Sequence, residues 1–255
     1  LFVPLISLLI SFLLFPIFKK YLPFKKIYIY STIGVLSHGL LDACTSYGTS
    51  LLWPVSDIRI SWNIISIIDP VFTSIIIIFF FLCIFSKSIK FIKIGLTLSF
   101  SYLFLCFIQY HQIKSFVLSN SKDRGHKIER ILLNPTIGNN ILWRTIYQSD
   151  GYYFIDGVYK SIFSKAKIIN GTKIKVINKE TIYPELDQNS KQREDIRRFS
   201  YFSQDYIFLH PDFDDVIADL RYGTLPYDYK SLWGIKINSK NKDQHAKFVS
   251  LRDFK

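Results

Sequence analysis

Hydrophobic positions divide the chain into an apolar first part and a polar second part. Four apolar stretches occupy the first 113 residues, and each is long enough to cross or nearly cross a hydrocarbon layer, which takes about 20 helical residues. They are Leu1–Phe18, Ile27–Ala43, Ile64–Phe85 and Ile94–Ile113. The pattern predicts an α-helical multi-pass membrane domain over residues 1–113.

The second part has the pattern of a soluble α+β domain. Strand-like runs at Ile141–Gln148 and Gly151–Tyr159 flank Ser149-Asp150-Gly151, a hairpin signal. A helix is expected at Lys191–Phe202, with Asn189 or Ser190 as its N-cap. Further short strands are expected at Thr172–Ile177, Gln204–His210, Val216–Tyr222, Leu232–Asn238 and Ala246–Leu251. We therefore predict a membrane domain at 1–113, a polar linker at 114–135 and a soluble α+β domain at 136–255.

Composition and charge support this division. The chain has 255 residues and a formal net charge of +12, yet residues 1–113 hold only eight of the 32 basic and three of the 20 acidic residues. Together with a mean hydropathy of +0.19, this argues against a disordered chain and an ordinary cytosolic enzyme. The three cysteines all lie in the apolar part, which excludes a disulfide framework. Because the chain begins with Leu1 and contains no Met, we expect it to lack its N-terminus.

Basic residues between the apolar stretches predict an orientation. Four lysines lie in the segment 19–26 and three in the segment 86–93. The only charged residues of the segment 44–63 are Asp57 and Arg59. By the positive-inside rule the two lysine-rich connections are cytoplasmic. Four spans then place the C-terminal domain on the periplasmic side.

His38 and Asp42 are the residues most suggestive of chemistry. On a helix over residues 27–43 they are four positions apart and so share one face. This spacing can bring an imidazole and a carboxylate to one divalent metal ion, or it can form a simple hydrogen-bonded pair that joins two helices. An ionisable pair within a membrane span is costly, which favours a functional site.

Asp69 and Arg59 are the next candidates. Asp69 precedes Pro70, and this order is typical of a helix N-cap followed by the first helical position. It also places a carboxylate at the outer end of the predicted third span, level with His38 and Asp42. Arg59 can bind a phosphate or carboxylate group of a substrate, or extend towards lipid head groups.

Four blocks of the apolar part form a recognisable series: His38-Gly39-Leu40-Leu41-Asp42, Thr45-Ser46-Tyr47-Gly48-Thr49, Leu52-Trp53-Pro54 and Ile67-Ile68-Asp69-Pro70. These blocks resemble the YdjM-type bacterial inner-membrane proteins, which are described as membrane-bound metal-dependent hydrolases. Ser37 and Val55 stand where that family has Thr and Phe. Blocks in the second part, including Asn134-Pro135-Thr136 and Asp219-Leu220-Arg221-Tyr222-Gly223, are similar to the same family.

The resemblance implies a membrane-bound metal-dependent hydrolase that acts on a lipid-like ester or phosphoester. A divalent ion, Zn or Mn, would be held by His38, Asp42 and Asp69, with further ligands N-terminal to this sequence. Asp42, Asp69 and Arg59 would be the catalytic residues. The expected partner is a membrane lipid or a membrane-associated substrate, because the site is predicted at the membrane face.

The alternative is a non-enzymatic inner-membrane scaffold or protein-binding module. In that case the His38–Asp42 pair is structural and the C-terminal domain is the working part. A nucleic-acid partner is not expected, because the basic residues at Lys191, Arg193, Arg197 and Arg198 are mixed with Glu194 and Asp195, which indicates an exposed helix face.

Overall fold

The computed structural model describes residues 2–241 and 244–252. The chain forms two compact units. Unit 1 comprises Leu1–Tyr110 and Ile137–Asn140, and unit 2 comprises His111–Thr136 and Ile141–Lys255.

Unit 1 is helical. Its helices are α1 (Val3–Phe18), α2 (Phe24–Cys44), α3 (Pro70–Ser86) and the first part of α4 (Lys90–Asp123). In α1 the small side chains of Ser7 and Ser11 are fully buried, which is typical of closely packed helices. Gly95 of α4 allows a similarly close approach, since a Cβ there would lie 2.6 Å from the Cβ of Phe79 in α3.

The prediction of a multi-pass helical membrane domain is wrong. Among the described residues only α4, with 34 residues, is long and apolar enough to cross a membrane. Helices α1 and α3 have 16 and 17 residues, and a full span takes about 20. Helix α2 has 21 residues, but it includes Lys25, Lys26, His38 and Asp42. The hydrophobic pattern predicts one helix over the apolar run 64–85, whereas the chain is helical only from Pro70.

The helices of unit 1 nevertheless expose many apolar side chains. None of the 17 residues of α3, all of them described, is buried. Leu13 of α1, Phe85 of α3 and Phe100 of α4 are each more than two-thirds exposed. Apolar surfaces of this extent are typical of proteins that contact a membrane or a partner.

The first sheet of unit 2 is antiparallel, with its strands in chain order. It contains β1 (Arg130–Pro135), β2 (Leu142–Ser149), β3 (Tyr152–Tyr159) and β4 (Lys167–Lys175). The predicted hairpin is confirmed: Ser149 pairs with Tyr152, and Asp150 and Gly151 between them have φ values of 50° and 75°. Two consecutive positive φ angles are the property of the type I′ turn that Asp-Gly favours.

The second sheet of unit 2 is also antiparallel and in chain order. Its strands, β5 (Ile207–Leu209), β6 (Val216–Asp219), β7 (Trp233–Lys236) and β8 (Lys247–Ser250), are shorter than the predicted runs. Helix α5 (Lys191–Phe202) has the predicted bounds. Ser190 is its N-cap, and its Oγ accepts a hydrogen bond from the Arg193 amide at 3.3 Å.

Residues 114–135, predicted to be a linker, carry regular structure. The last ten residues of α4 and strand β1 lie there. Polar composition suggested a linker, but the polar side chains lie on a helix that continues to Asp123. The unit boundary falls inside this helix, after Tyr110.

A buried polar cluster joins the two sheets of unit 2. Asp219 at the end of β6 is fully buried and binds Arg221, with Oδ2 and Nη2 2.8 Å apart. Arg144 of β2 donates from Nε to the Leu220 carbonyl at 3.0 Å. Asn134 of β1 donates from Nδ2 to the Arg221 carbonyl at 3.2 Å. Residues from the Asn134 and the Asp219 blocks noted in the sequence therefore meet in one structural core.

Candidate functional site

His38 and Asp42 lie together on one face of α2, as their spacing predicts. The His38 Nδ1 and Asp42 Oδ2 atoms are 3.5 Å apart, and the two side chains are 78% and 48% exposed. This distance exceeds the 2.7–3.2 Å of a good N–H···O hydrogen bond. The pair is thus loosely coupled and open to a ligand.

The end of α2 is fixed by hydrogen bonds that the following residues donate to its last carbonyl groups. Thr45 has extended backbone and donates to the Asp42 carbonyl from its amide at 3.0 Å and from its Oγ1 at 2.8 Å. The returning chain then pairs with the last turn, where the Trp62 amide donates to the Ala43 carbonyl at 2.7 Å. These bonds satisfy carbonyl groups that a helix end leaves without partners. They hold the last turn, which carries Asp42, in place.

The local electrostatics favour a cation beside Asp42. The carboxylate lies in the last turn of α2, and that turn contains no basic residue. The carboxyl-terminal end of a helix carries a partial negative charge, which disfavours a nearby anion by about 0.3–1 kcal/mol. A bound cation would relieve this repulsion, because it would be attracted by the Asp42 carboxylate and by the partial negative charge of the helix end.

The donor atoms of this pair fit part of a metal site. Two ligand atoms at about 2.0–2.2 Å from one tetrahedral zinc ion lie roughly 3.4 Å apart, close to the 3.5 Å observed here. A catalytic zinc site usually has three protein ligands and one water. Within the part of the chain that the structure describes, no group of three His, Cys, Asp or Glu side chains is placed to hold an ion.

Asp69 is the N-cap of α3, as predicted. Its Oδ1 accepts a hydrogen bond from the Phe72 amide at 2.9 Å. Its Oδ2 accepts one from the Tyr102 hydroxyl of α4 at 2.8 Å. Both oxygens of this buried carboxylate therefore already accept hydrogen bonds, Oδ1 from the start of α3 and Oδ2 from α4. Its role as a metal ligand or catalytic residue stays a prediction.

Arg59 holds the loop after α2. Its Nη2 donates to the Tyr47 carbonyl at 2.8 Å and to the Gly48 carbonyl at 3.2 Å. The guanidinium carbon also lies 5.4 Å from the centre of the Tyr47 ring. Close by, the Thr49 and Ile60 backbones form an antiparallel bridge. The contact of Arg59 with a substrate anion stays a prediction.

Residues 1–113 match the family model described as YdjM inner membrane protein. The resemblance is confirmed over this stretch, which contains His38, Asp42, Arg59 and Asp69. The blocks of unit 2 lie outside the match. No curated protein and no solved structure matches the chain.

The YdjM description agrees with the exposed apolar helices of unit 1. Inner-membrane proteins have apolar surfaces that face lipid, and α1, α3 and α4 expose apolar side chains of this kind. The match ends ten residues before the end of α4. The candidate site therefore lies wholly within the YdjM part.

Sequence reasoning missed the contacts that fix Asp69 and its loop. Tyr102 is 33 positions from Asp69, and no local pattern connects the two. The Ser66 Oγ donates to the Ile68 carbonyl at 2.5 Å and accepts from the Gly138 amide at 3.1 Å. Gly138 belongs to a segment 72 positions further along the chain. Contacts between such distant positions leave no spacing signal in one sequence.

Proposed function

We propose that the protein is a membrane-bound metal-dependent hydrolase in which His38 and Asp42 hold a divalent cation. The observation that carries the proposal is the exposed pair of donor atoms 3.5 Å apart at the carboxyl-terminal end of α2. A membrane-associated ester or phosphoester is the proposed substrate, since the YdjM description places such proteins in the inner membrane.

The ion would be zinc, with manganese as the second choice. An imidazole nitrogen suits zinc well, whereas carboxylate and water ligands also suit manganese. When bound, such an ion lowers the pKa of a coordinated water to near neutrality and so supplies a nucleophile. The part of the chain is to orient the donors: the helix spaces them, and the Thr45 bonds hold the turn that bears Asp42.

Asp69 and Arg59 enter the proposal in supporting roles. Asp69 would have to approach the His38–Asp42 pair to act as a further ligand, since no three such side chains are grouped among the described residues. Its oxygens have lone pairs that the Phe72 and Tyr102 bonds leave available. Arg59 would bind the anionic group of the substrate. A guanidinium matches carboxylate and phosphate geometry, and its present bonds to backbone carbonyls keep it within the loop after α2.

Metal content tests the proposal directly. The full chain is purified in detergent, stripped with a chelator, reloaded with zinc or manganese and measured by elemental mass spectrometry. We expect about one ion per chain in the parent protein. His38→Ala and Asp42→Ala should each weaken binding at least about tenfold, because even indirect partners of a metal ligand contribute 10–100-fold.

His245→Ala is the matched control for this experiment. His245 also lies beside a carboxylate, with its Nδ1 3.0 Å from Asp195 Oδ2, but in unit 2. Its removal should leave the metal content unchanged. Asp69→Asn separates a role of Asp69 as metal ligand from its role as N-cap of α3, because the side-chain amide keeps the Oδ1 atom that accepts from the Phe72 amide. A metal-free parent protein, or full loading in both the His38 and the Asp42 variants, would rule out the hydrolase and favour the scaffold.

We further propose that unit 2 faces the periplasm. Lys87, Lys90 and Lys93 lie at the start of α4, the candidate span, which favours a cytoplasmic start for that helix. Basic residues beyond α4 belong to a long domain, and such domains translocate largely regardless of charge. An alkaline phosphatase fusion after Lys255 should therefore be active. A fusion that is inactive while a fluorescent protein at the same position is bright would reverse the orientation.

A further inference from the structure

An apolar groove of about 740 Å³ runs between α1 and α2 in unit 1. The side chains that α1 contributes recur every four residues, at Ile6, Ile10, Leu14 and Phe18. Such a stripe lies on one helix face. The wall that α2 contributes includes a gap at Gly34, where an added Cβ would meet nothing within 4 Å. The volume falls within the range of about 300–1,000 Å³ usual for ligand sites.

The groove has the length of one lipid chain. Twelve residues separate Ile6 from Phe18, so the stripe is about 18 Å long at 1.5 Å per residue. One leaflet contributes half of a hydrocarbon layer, or about 15 Å. His38 is the one ionisable side chain of its lining apart from the Tyr30 phenol. A hydrocarbon chain therefore matches both the length and the chemistry of the groove.

One end of the groove is strongly basic. Phe18, Leu22 and Ile27 line that end. The neighbouring positions in the α1–α2 connection are four exposed lysines, Lys19, Lys20, Lys25 and Lys26. Residues 1–41 contain no acidic residue that could neutralise them. An apolar groove and a cluster of positive charge thus adjoin each other.

We propose that the groove binds an acyl chain of an anionic glycerophospholipid, with the lipid phosphate against the four lysines. The charge selects the lipid class, because a basic residue near an anionic lipid surface contributes roughly a fivefold preference. A zwitterionic lipid would gain little from the lysines. In this arrangement the ester groups of the lipid lie at the end of the groove opposite His38, so the lipid is a structural ligand and not the substrate of the proposed hydrolase site, although its acyl chain extends towards His38.

Native mass spectrometry of the full chain in detergent tests the charge requirement. The probes are a phosphatidylglycerol and a phosphatidylcholine with the same acyl chains. We expect one tightly bound phosphatidylglycerol per chain and at least tenfold weaker phosphatidylcholine binding. Replacing the four lysines with Gln should remove the preference. In the control variant Lys87, Lys90 and Lys93, at the α3–α4 connection, are replaced instead. This variant should keep the preference for phosphatidylglycerol.

Gly34→Phe tests the groove itself. The aromatic side chain would enter the space above Gly34 and should lower phosphatidylglycerol binding at least tenfold. Ile33→Phe is the matched control, because Ile33 is a 58% exposed neighbour that does not line the groove. Zinc content should be unchanged in the four-lysine variant, whose substitutions lie at the end of the groove opposite His38, and this measurement separates the lipid proposal from the hydrolase.

Three outcomes would overturn the inference. Undiminished binding in Gly34→Phe would mean that the lysines alone attract lipid. Equal binding of the two lipids would mean that charge does not select the occupant. A lipid-free chain that is dimeric, and that becomes monomeric in Gly34→Phe, would mean that a second copy covers the groove.

Discussion

Asp219→Ala is expected to destabilise unit 2 by about 3–5 kcal/mol, since it leaves a buried charge without its partner. The Asp219 carboxylate is fully buried and accepts from the Arg221 side chain through both oxygens. Its Oδ1 also accepts from the Arg221 amide at 3.0 Å. Removing it strands a guanidinium that is only 2% exposed. The aromatic rings of Phe202 and Tyr222 lie 5.2 Å from that guanidinium and cannot replace an anion.

Hydrogen exchange of the full chain measures this effect. The free energy of opening should fall at the amides of β6, which ends at Asp219, and at those of the neighbouring strand β7. Arg198→Ala is the control, because Arg198 forms an exposed pair with Glu194 in α5 and such pairs contribute about 0–1 kcal/mol. The double replacement Asp219→Leu with Arg221→Met should recover part of the loss. An effect of Asp219→Ala no larger than that of Arg198→Ala would show that the pair is dispensable.

Local signals predicted the parts of the fold that local physics determines. Asp150-Gly151 predicted a hairpin because two residues with positive φ suffice to define its turn. Ser190 and Asp69 predicted helix starts because an N-cap bond spans only three residues. His38 and Asp42 were brought together by helix spacing alone. Each of these predictions needed at most five consecutive residues.

Hydrophobicity alone failed for the membrane domain. An apolar run gives no helix boundary, so residues 64–69 were counted as helical although Asp69 and Pro70 mark the true start. The error at α3 follows from counting apolar residues without the cap. Helix α1 ends at Phe18, as the apolar stretch does, and its 16 residues are simply fewer than the about 20 that a full span takes.

Buried arginines could not be predicted from one sequence. Arg193 lies in a mixed-charge stretch that suggested a solvated helix face, yet it is fully buried. Its Nη1 and Nη2 donate to the carbonyls of Lys179 at 2.8 Å and Tyr183 at 2.5 Å. Arg144 similarly donates to the carbonyl of Leu225, 81 positions away. Carbonyl acceptors are present in every residue, so the sequence does not show which of them an arginine will bind.

Gly171→Ala should destabilise the first sheet of unit 2 by about 3 kcal/mol or more, at or beyond the upper end of overpacking costs. A Cβ at this position would lie 2.0 Å from the Tyr227 carbonyl oxygen and 2.1 Å from that of Ile155. Both neighbours are backbone atoms, so neither can rotate away. The Gly171 amide also donates to Asp156 Oδ1 at 2.9 Å, and the β3–β4 register shifts between Ile155 and Gly157. A methyl group here must push the Tyr227 segment or β4 out of place.

Gly157→Ala is the matched control for Gly171→Ala in the same sheet. Its Cβ would meet only side chains, the nearest being the Ile169 Cβ at 3.3 Å, which can shift by a few tenths of an ångström. Hydrogen exchange at the amides of β3 and β4 in the full chain should therefore show a much larger loss of protection for Gly171→Ala than for Gly157→Ala. His38 and Asp42 lie on α2 in unit 1, and both glycines lie in unit 2, so any zinc bound by that pair, as proposed, should persist in both variants. Equal protection in the two variants would mean that the Tyr227 segment does not cross this sheet as closely as the structure places it.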